Sequence, residues 1–207
     1  MAIDFKESKT KENLMKAFAG ESQARNRYTI ASETAEKQGM QAISSVFWFT
    51  AEQERAHAQR FYELLKEMEG TTIEICGGYP VDTYDSVQDL LKAAEHNEME
   101  EYEDVYQAFA KDAKEEGFLE VASAFFQIAE IEHIHARRFG NLKMLIEDQK
   151  YFESKDADTG AWMCLNCGYI HEGGKIPEVC PVCRHDKGFF IPLGMAPYTD
   201  SKITSGE

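Results

Sequence analysis

The feature that most constrains this chain is a set of ionisable side chains on the apolar stripes of long helices. Up to about Lys150, apolar residues return at alternating steps of four and three, and Pro80 is the only proline, which is the period of amphipathic helices. The second helix reads Ile43, Phe47, Thr50, Glu54, His57, Phe61, Leu64 and the third Leu91, Glu95, Glu98, Tyr102, Val105, Phe109. The first carries Glu21 among Leu14, Ala17, Ala24 and Tyr28, and the fourth carries Glu130 and His133 after Phe126. Five buried carboxylates would each cost several kcal/mol and would repel one another. Two divalent cations nearly neutralise them, and the two imidazoles complete an oxygen and nitrogen ligand set that suits iron or manganese better than magnesium or calcium. One Glu from each of two helices, with Glu-x-x-His from each of the other two, is the ligand pattern of carboxylate-bridged dimetal bundles.

Glycines place turns at Gly39 and Gly117, and a long connection runs from Gly70 to Ser86. The expectation is four helices of roughly 25 to 30 residues, about 40 Å long, arranged as a ferritin-like four-helix bundle with one long crossover. Ala19-Gly20-Glu21 and Tyr28 return as Ala93-Ala94-Glu95 and Tyr102, Glu54-x-x-His57 returns as Glu130-x-x-His133, and the turn glycines are 78 apart. The helical half thus reads as a duplicated hairpin with a pseudo-twofold axis. Long helical side chains lean toward the N-terminus, so the hydroxyls of Tyr28 and Tyr102 are expected to reach the metal-binding carboxylates. Glu132, His135 and His96 read as surface residues. Phe47, Trp48 and Phe49 read as core or subunit contacts, and Cys76 as a packed loop thiol.

After Lys150 the texture changes. Residues 156–207 hold seven glycines, four prolines and four of the five cysteines, the composition of a small domain held by its ligands. The chain therefore divides into a bundle, 1–150, and a tail, 156–207. Cys164-x-x-Cys167 and Cys180-x-x-Cys183 aim four thiolates at one tetrahedral metal, zinc or iron alike, and leave His171 and His185 as loop residues. With 22 Lys+Arg against 37 Asp+Glu the formal charge is -15, which argues against nucleic acid as a partner. The opening MAIDFKESKT lacks a signal-peptide core and no stretch approaches a membrane span, so a soluble, cytoplasmic protein is expected.

Over essentially its whole length the chain resembles rubrerythrin. NLMKAFAGESQARNRY, AEQERAHAQRF, AAEHNEMEEY and AEIEHIHARRF are similar to that family's four di-iron helices, and WMCLNCGYIH with CPVC is similar to its rubredoxin-like tail. The resemblance implies two irons held by Glu21, Glu54, His57, Glu95, Glu98, Glu130 and His133, and one iron held by Cys164, Cys167, Cys180 and Cys183. It further implies reduction of hydrogen peroxide to water, with electrons reaching the tail from a redox protein such as rubredoxin or a nicotinamide-dependent reductase. One iron would exchange His57 for Glu98 on oxidation. No dinucleotide-binding fingerprint is present, so direct oxidation of a nicotinamide is not expected. The competing readings are a ferroxidase or iron-handling protein, for which an electron-relaying tail has no evident use, and a structural zinc-ribbon protein.

A fourth helix running straight from His133 to about Asp148 carries the tail about 22 Å from the dimetal level. A head-to-tail homodimer, in which each tail lies beside the partner's bundle, removes that separation.

Overall fold

The computed structural model describes residues 3–154 and 160–198. Four long helical rods form the bundle. Helix α1 (Lys9–Lys37) starts where Ser8 accepts from the Lys11 amide, and the Glu116 carboxylate accepts from the amides of Lys9 and Thr10 at 2.9 and 2.8 Å, a favourable place for negative charge. Gly39, at φ +72°, supplies the left-handed residue of the turn into α2 (Gln41–Leu64). The third rod is not uniform. α3 (Val87–Glu100), capped by Ser86, passes through a π-helical segment, Glu101–Val105, into α4 (Tyr106–Glu116). Gly117, at φ +94°, then leads to α5 (Leu119–Glu147).

α1 packs along α2, and the α3/α4 rod along α5. The core has two aromatic layers with the ionisable residues between them. Tyr28, Phe47, Leu91 and Phe139 lie in one layer, and Leu14, Phe61, Tyr106 and Phe125 in the other. The crossover between α2 and α3 runs over α1. Tyr79 lies 3.8 Å from where a Cβ on Gly20 would stand, and Asp82 accepts from Asn97 Nδ2 at 2.7 Å.

The tail is a three-stranded antiparallel sheet, β1 (Ala161–Cys164), β2 (Ile170–Glu172) and β3 (Phe190–Pro192), in the order β2-β1-β3. Its core is Trp162, Ile176 and Phe190. Tyr151 joins it to the bundle, packing in the layer of Tyr28 and Phe47 while its carbonyl accepts from Trp162 Nε1 at 2.9 Å. Gly188 sits directly on the α1–α2 turn, where any Cβ would stand 1.8 Å from the Gly39 carbonyl oxygen. Among the described residues no helix is long and apolar enough to cross a membrane.

Candidate metal centres

At mid-bundle six side chains converge: Glu21 from α1, Glu54 and His57 from α2, Glu98 from α3, and Glu132 and His135 from α5. They form two overlapping groups, Glu21, Glu54, His57, Glu132 and Glu54, Glu98, Glu132, His135. Glu54 and Glu132 belong to both, and each spans them with its two oxygens. His57 Nδ1 lies 3.0 Å from Glu54 Oε2 and 2.9 Å from Glu132 Oε1. His135 Nδ1 lies 3.0 Å from Glu54 Oε1 and 2.8 Å from Glu132 Oε2. Glu21 and Glu98 close the two ends, at 3.8 and 3.5 Å from His57 and His135.

Tyrosines cross between the halves. Tyr106 donates to Glu21 Oε1 at 2.5 Å, and Tyr28 donates to Glu98 Oε1. Burial, then the neighbouring carboxylates, push both phenols well above their ordinary range, so they stay donors.

The side chains are short of protons. Apart from the approaches to the two imidazoles just given, Glu21 Oε2, Glu54 Oε1, Glu98 Oε2, both oxygens of Glu132 and His135 Nδ1 are buried without a hydrogen-bond partner. Such a concentration of inward lone pairs is costly unless cations take them up. Without cations the protein must hold protons instead. Burial raises Glu21 to about 7 and Glu132 well above the carboxylate range. Burial opposes the charge on His57 and His135, and the surrounding carboxylates overcome it, raising them to about 10 and about 12. Two bridging carboxylates, two terminal ones and one imidazole per subsite fit a pair of first-row divalent metals.

The sequence register was wrong on two helices. Glu95, Glu130 and His133 are not in this cluster, and Tyr102 does not touch it. Glu95 pairs with Lys143 beside Gly140, Glu130 is exposed, and Tyr102 stacks on His133 at 4.4 Å. Glu132 and His135, expected at the surface, are fully buried ligand candidates. In EIEHIHARRF two Glu-x-x-His frames overlap two residues apart, and two residues rotate a side chain about 200° around a helix. Phe126, the anchor of the expected stripe, is 51% exposed, whereas Phe125 is buried. The 78-residue spacing of the turn glycines held the correct signal, since it carries Glu54 and His57 onto Glu132 and His135.

On the third rod the π segment shifts the repeat by one. Glu21 maps 77 residues on, to Glu98, while Tyr28 maps 78 on, to Tyr106. Ala24 then maps onto Glu101, a carboxylate with no counterpart in the first half. Glu101 lines a cavity of about 190 Å³ with Lys16, Arg27 and Tyr106, roofed by Gly77–Pro80 of the crossover. Burial and then the charges of Glu21, Glu98 and Glu54 push its carboxyl well above the usual range. Glu98, expected as an additional carboxylate one turn beyond Glu95, is one of the six convergent side chains, and Glu101 lies outside them. Cys76 is exposed rather than packed.

In the tail, Cys164, Cys167, Cys180 and Cys183 bring their sulfurs within 4.8 Å of one another. Cys164 to Cys183 and Cys167 to Cys180 are each 3.7 Å, close to the sulfur spacing of about 3.8 Å that a tetrahedron with 2.3 Å metal–sulfur bonds requires. Each pair ends on a left-handed residue, Gly168 at φ +77° and Arg184 at φ +65°, and the first cysteine carbonyls accept from the amides of Gly168 and Arg184 at 2.8 and 3.0 Å. The His185 amide lowers Cys183 to about 5, while burial raises Cys164 to about 12; a metal resolves that inequality by taking all four as thiolates.

The family model for rubrerythrin matches residues 12–143, and that for the rubredoxin-like domain of rubrerythrin matches 162–191. The chain belongs to the rubrerythrin family. It is 49% identical to rubrerythrin-1 of Clostridium acetobutylicum, covering 89% of this chain and 94% of the relative. It is 42% identical to rubrerythrin of Nitratidesulfovibrio vulgaris, covering 92% and 97%. Among solved structures, nigerythrin in its all-ferrous state aligns with TM-score 0.60 at 32% identity over 91% of each chain. A di-iron bacterioferritin of Desulfovibrio desulfuricans aligns with TM-score 0.62 at 26% identity, over 69% of this chain and 82% of the other. The bundle cluster is thus a candidate rubrerythrin di-iron site, and the four cysteines are its rubredoxin-like iron site.

Proposed function

We propose that the chain is a peroxidase that reduces hydrogen peroxide to water, taking electrons from rubredoxin or a nicotinamide-dependent reductase through the four-cysteine iron. Glu101 carries this reading. The other carboxylates each lie within 4 Å of His57 or His135, whereas Glu101 pairs with neither histidine among the described residues and lines a small cavity. Two ferrous ions would supply both electrons for the O–O bond together. Glu54 and Glu132 would bridge them, with Glu21 and His57 on one and Glu98 and His135 on the other. Tyr106 and Tyr28 fix Glu21 and Glu98 through their hydroxyls. Of the neighbouring charges that raise the Glu101 carboxyl, that of Glu21, the carboxylate on the His57 side, acts most strongly, and we assign to Glu101 the exchange with His57 expected of Glu98.

The tail docks on the α1–α2 turn of its own chain, and thirteen residues of α2 separate Gln41 from Glu54, about 20 Å. We propose that a second copy, head to tail, brings its tail beside this bundle. Exposed Phe49 of α2 and Ile134 of α5, which line one groove, support that occupant. We also place the protein in the cytoplasm, where reducing conditions preserve metal-bound thiolates, and divide it into a bundle, 1–150, and a tail, 156–207, of which 156–159 and 199–207 lie outside the described residues.

The deciding experiment is stopped-flow oxidation of the fully reduced protein by peroxide and by dioxygen in parallel, followed by steady-state turnover with a reductase. Faster reaction with dioxygen, or iron accumulating beyond the ions these two clusters hold, would establish the iron-handling reading instead.

A further inference from the structure

Residues 52–61, EQERAHAQRF, repeat 78 positions later as EIEHIHARRF. The two histidines in them should be equivalent, yet their outer faces differ. His135 Nε2 lies 3.1 Å from Gln53 Oε1; because Nδ1 points at the carboxylates, Nε2 carries the proton and donates. Gln53 Oε1 also accepts from Arg138 Nη1 at 3.0 Å, and the same nitrogen donates to Thr50 Oγ1 at 2.9 Å. Arginine has only donors, so it dictates that the oxygen end of the Gln53 amide faces the histidine. Arg138 in turn lies over the Phe49 ring, 5.4 Å from its centre.

The other half has lost this network. Thr50 and Gln53 are replaced by Ile128 and Ile131, and Arg60, the counterpart of Arg138, turns outward to Glu120 at 2.8 Å. His57 Nε2 has no protein partner among the described residues, and its residue is 7% exposed where His135 is fully buried.

We infer that Gln53, clamped by Arg138, is a positioning residue that makes His135 the firmly held metal ligand and leaves the metal on His57 the more weakly bound of the two. A hydrogen bond on the far nitrogen fixes a ligating imidazole's tautomer and ring plane and raises its basicity, and its loss typically costs 10- to 100-fold in metal affinity. An isoleucine offers none of this. The inference rests on the dimetal reading of the cluster and is independent of peroxide turnover.

The test uses the full chain loaded with Co(II), counting the four-cysteine ion separately by its thiolate absorption. On adding EDTA, the two bundle ions should leave in two phases at least about tenfold apart. Proton NMR should show one hyperfine-shifted imidazole N–H that exchanges slowly with solvent and one that exchanges fast. Gln53→Leu should bring the two release rates together and make both N–H signals exchange fast, and Gln53→Glu, which keeps an acceptor, should preserve the slow phase. Ile131→Gln, made in the half that lacks the network, should slow the fast phase; it decides the matter should Gln53→Leu fail to fold. Equal release rates in the native chain, or an unchanged ratio in these variants, overturns the inference. A bundle that takes up fewer than two cobalt ions overturns the dimetal reading itself.

Discussion

The Tyr106 hydroxyl, on α4, donates to Oε1 of Glu21, on α1, at 2.5 Å, and so ties a terminal carboxylate of the first hairpin to the second. Removing it in Tyr106→Phe should leave the bundle folded but free Glu21 to rotate. We expect metal affinity to fall about tenfold or more, read by competition with a chelator. An unchanged affinity would mean that Glu21 is held by packing alone.

Glu101→Ala should still bind two bundle metals, because the six convergent side chains remain, while peroxide turnover falls at least tenfold. Glu98→Ala should instead lower metal occupancy. Glu130→Ala and His133→Ala lie outside the cluster and should change neither metal content nor turnover. Loss of metal in either would restore the register read from the sequence.

Metal binding should release protons. Without cations, Glu21 at about 7, His57 at about 10 and the raised Glu132 hold protons near neutrality, and each must give one up to become a ligand. Affinity should therefore rise with pH from about 6 to 9. Calorimetry in two buffers of different ionisation enthalpy measures the protons released; proton uptake, or affinity falling with pH, contradicts the assignment.

A chain carrying Cys164→Ser with Cys167→Ser and one carrying Glu54→Ala with Glu132→Ala should each fail to turn over peroxide with the reductase. Mixed dimers should recover part of the activity. Inactive, well-formed mixed dimers would place electron transfer within one chain.

Gly188→Ala would put a methyl group 1.8 Å from the Gly39 carbonyl oxygen, which backbone cannot absorb without moving. The tail should undock at a cost of about 1–3 kcal/mol, seen as a lower melting temperature with normal bundle metal content. An unaltered melting curve would show that the contact bears no load.

Helix number, the turns and the crossover were readable because the apolar period and the glycines are strong local signals. Glu21, Glu54, His57 and Glu98 were legible as buried charge, and the cysteines by spacing. Glu132 and His135 were not, because two frames of the same motif overlap, and what separates them, the 78-residue repeat of the turn glycines and the phase of Phe125 and Phe139, lies outside the overlapping frames. Tyr106 and Glu101 were hidden by a backbone event: no residue type announces a π segment, so the repeat seemed to match Tyr102. The docking of Gly188 on Gly39 joins residues distant in the chain and leaves no periodic trace.

The π segment has a consequence for the length of this rod. In an ordinary helix its single surplus residue would turn everything after Val105 by about 100°; the wider turn absorbs it, so that Tyr106, Phe109 and Ala113 meet one core layer while Leu91 and Ala94 meet the other. Deleting one residue between Glu101 and Val105 would restore an ordinary helix with a seven-residue step from Glu98 to the tyrosine, as from Glu21 to Tyr28 on α1, and would keep both faces on the core. A rod that looks like a passive strut is thus a phase coupler, carrying a surplus residue that a straight helix of the same sequence could not hold without turning its aromatic face to solvent.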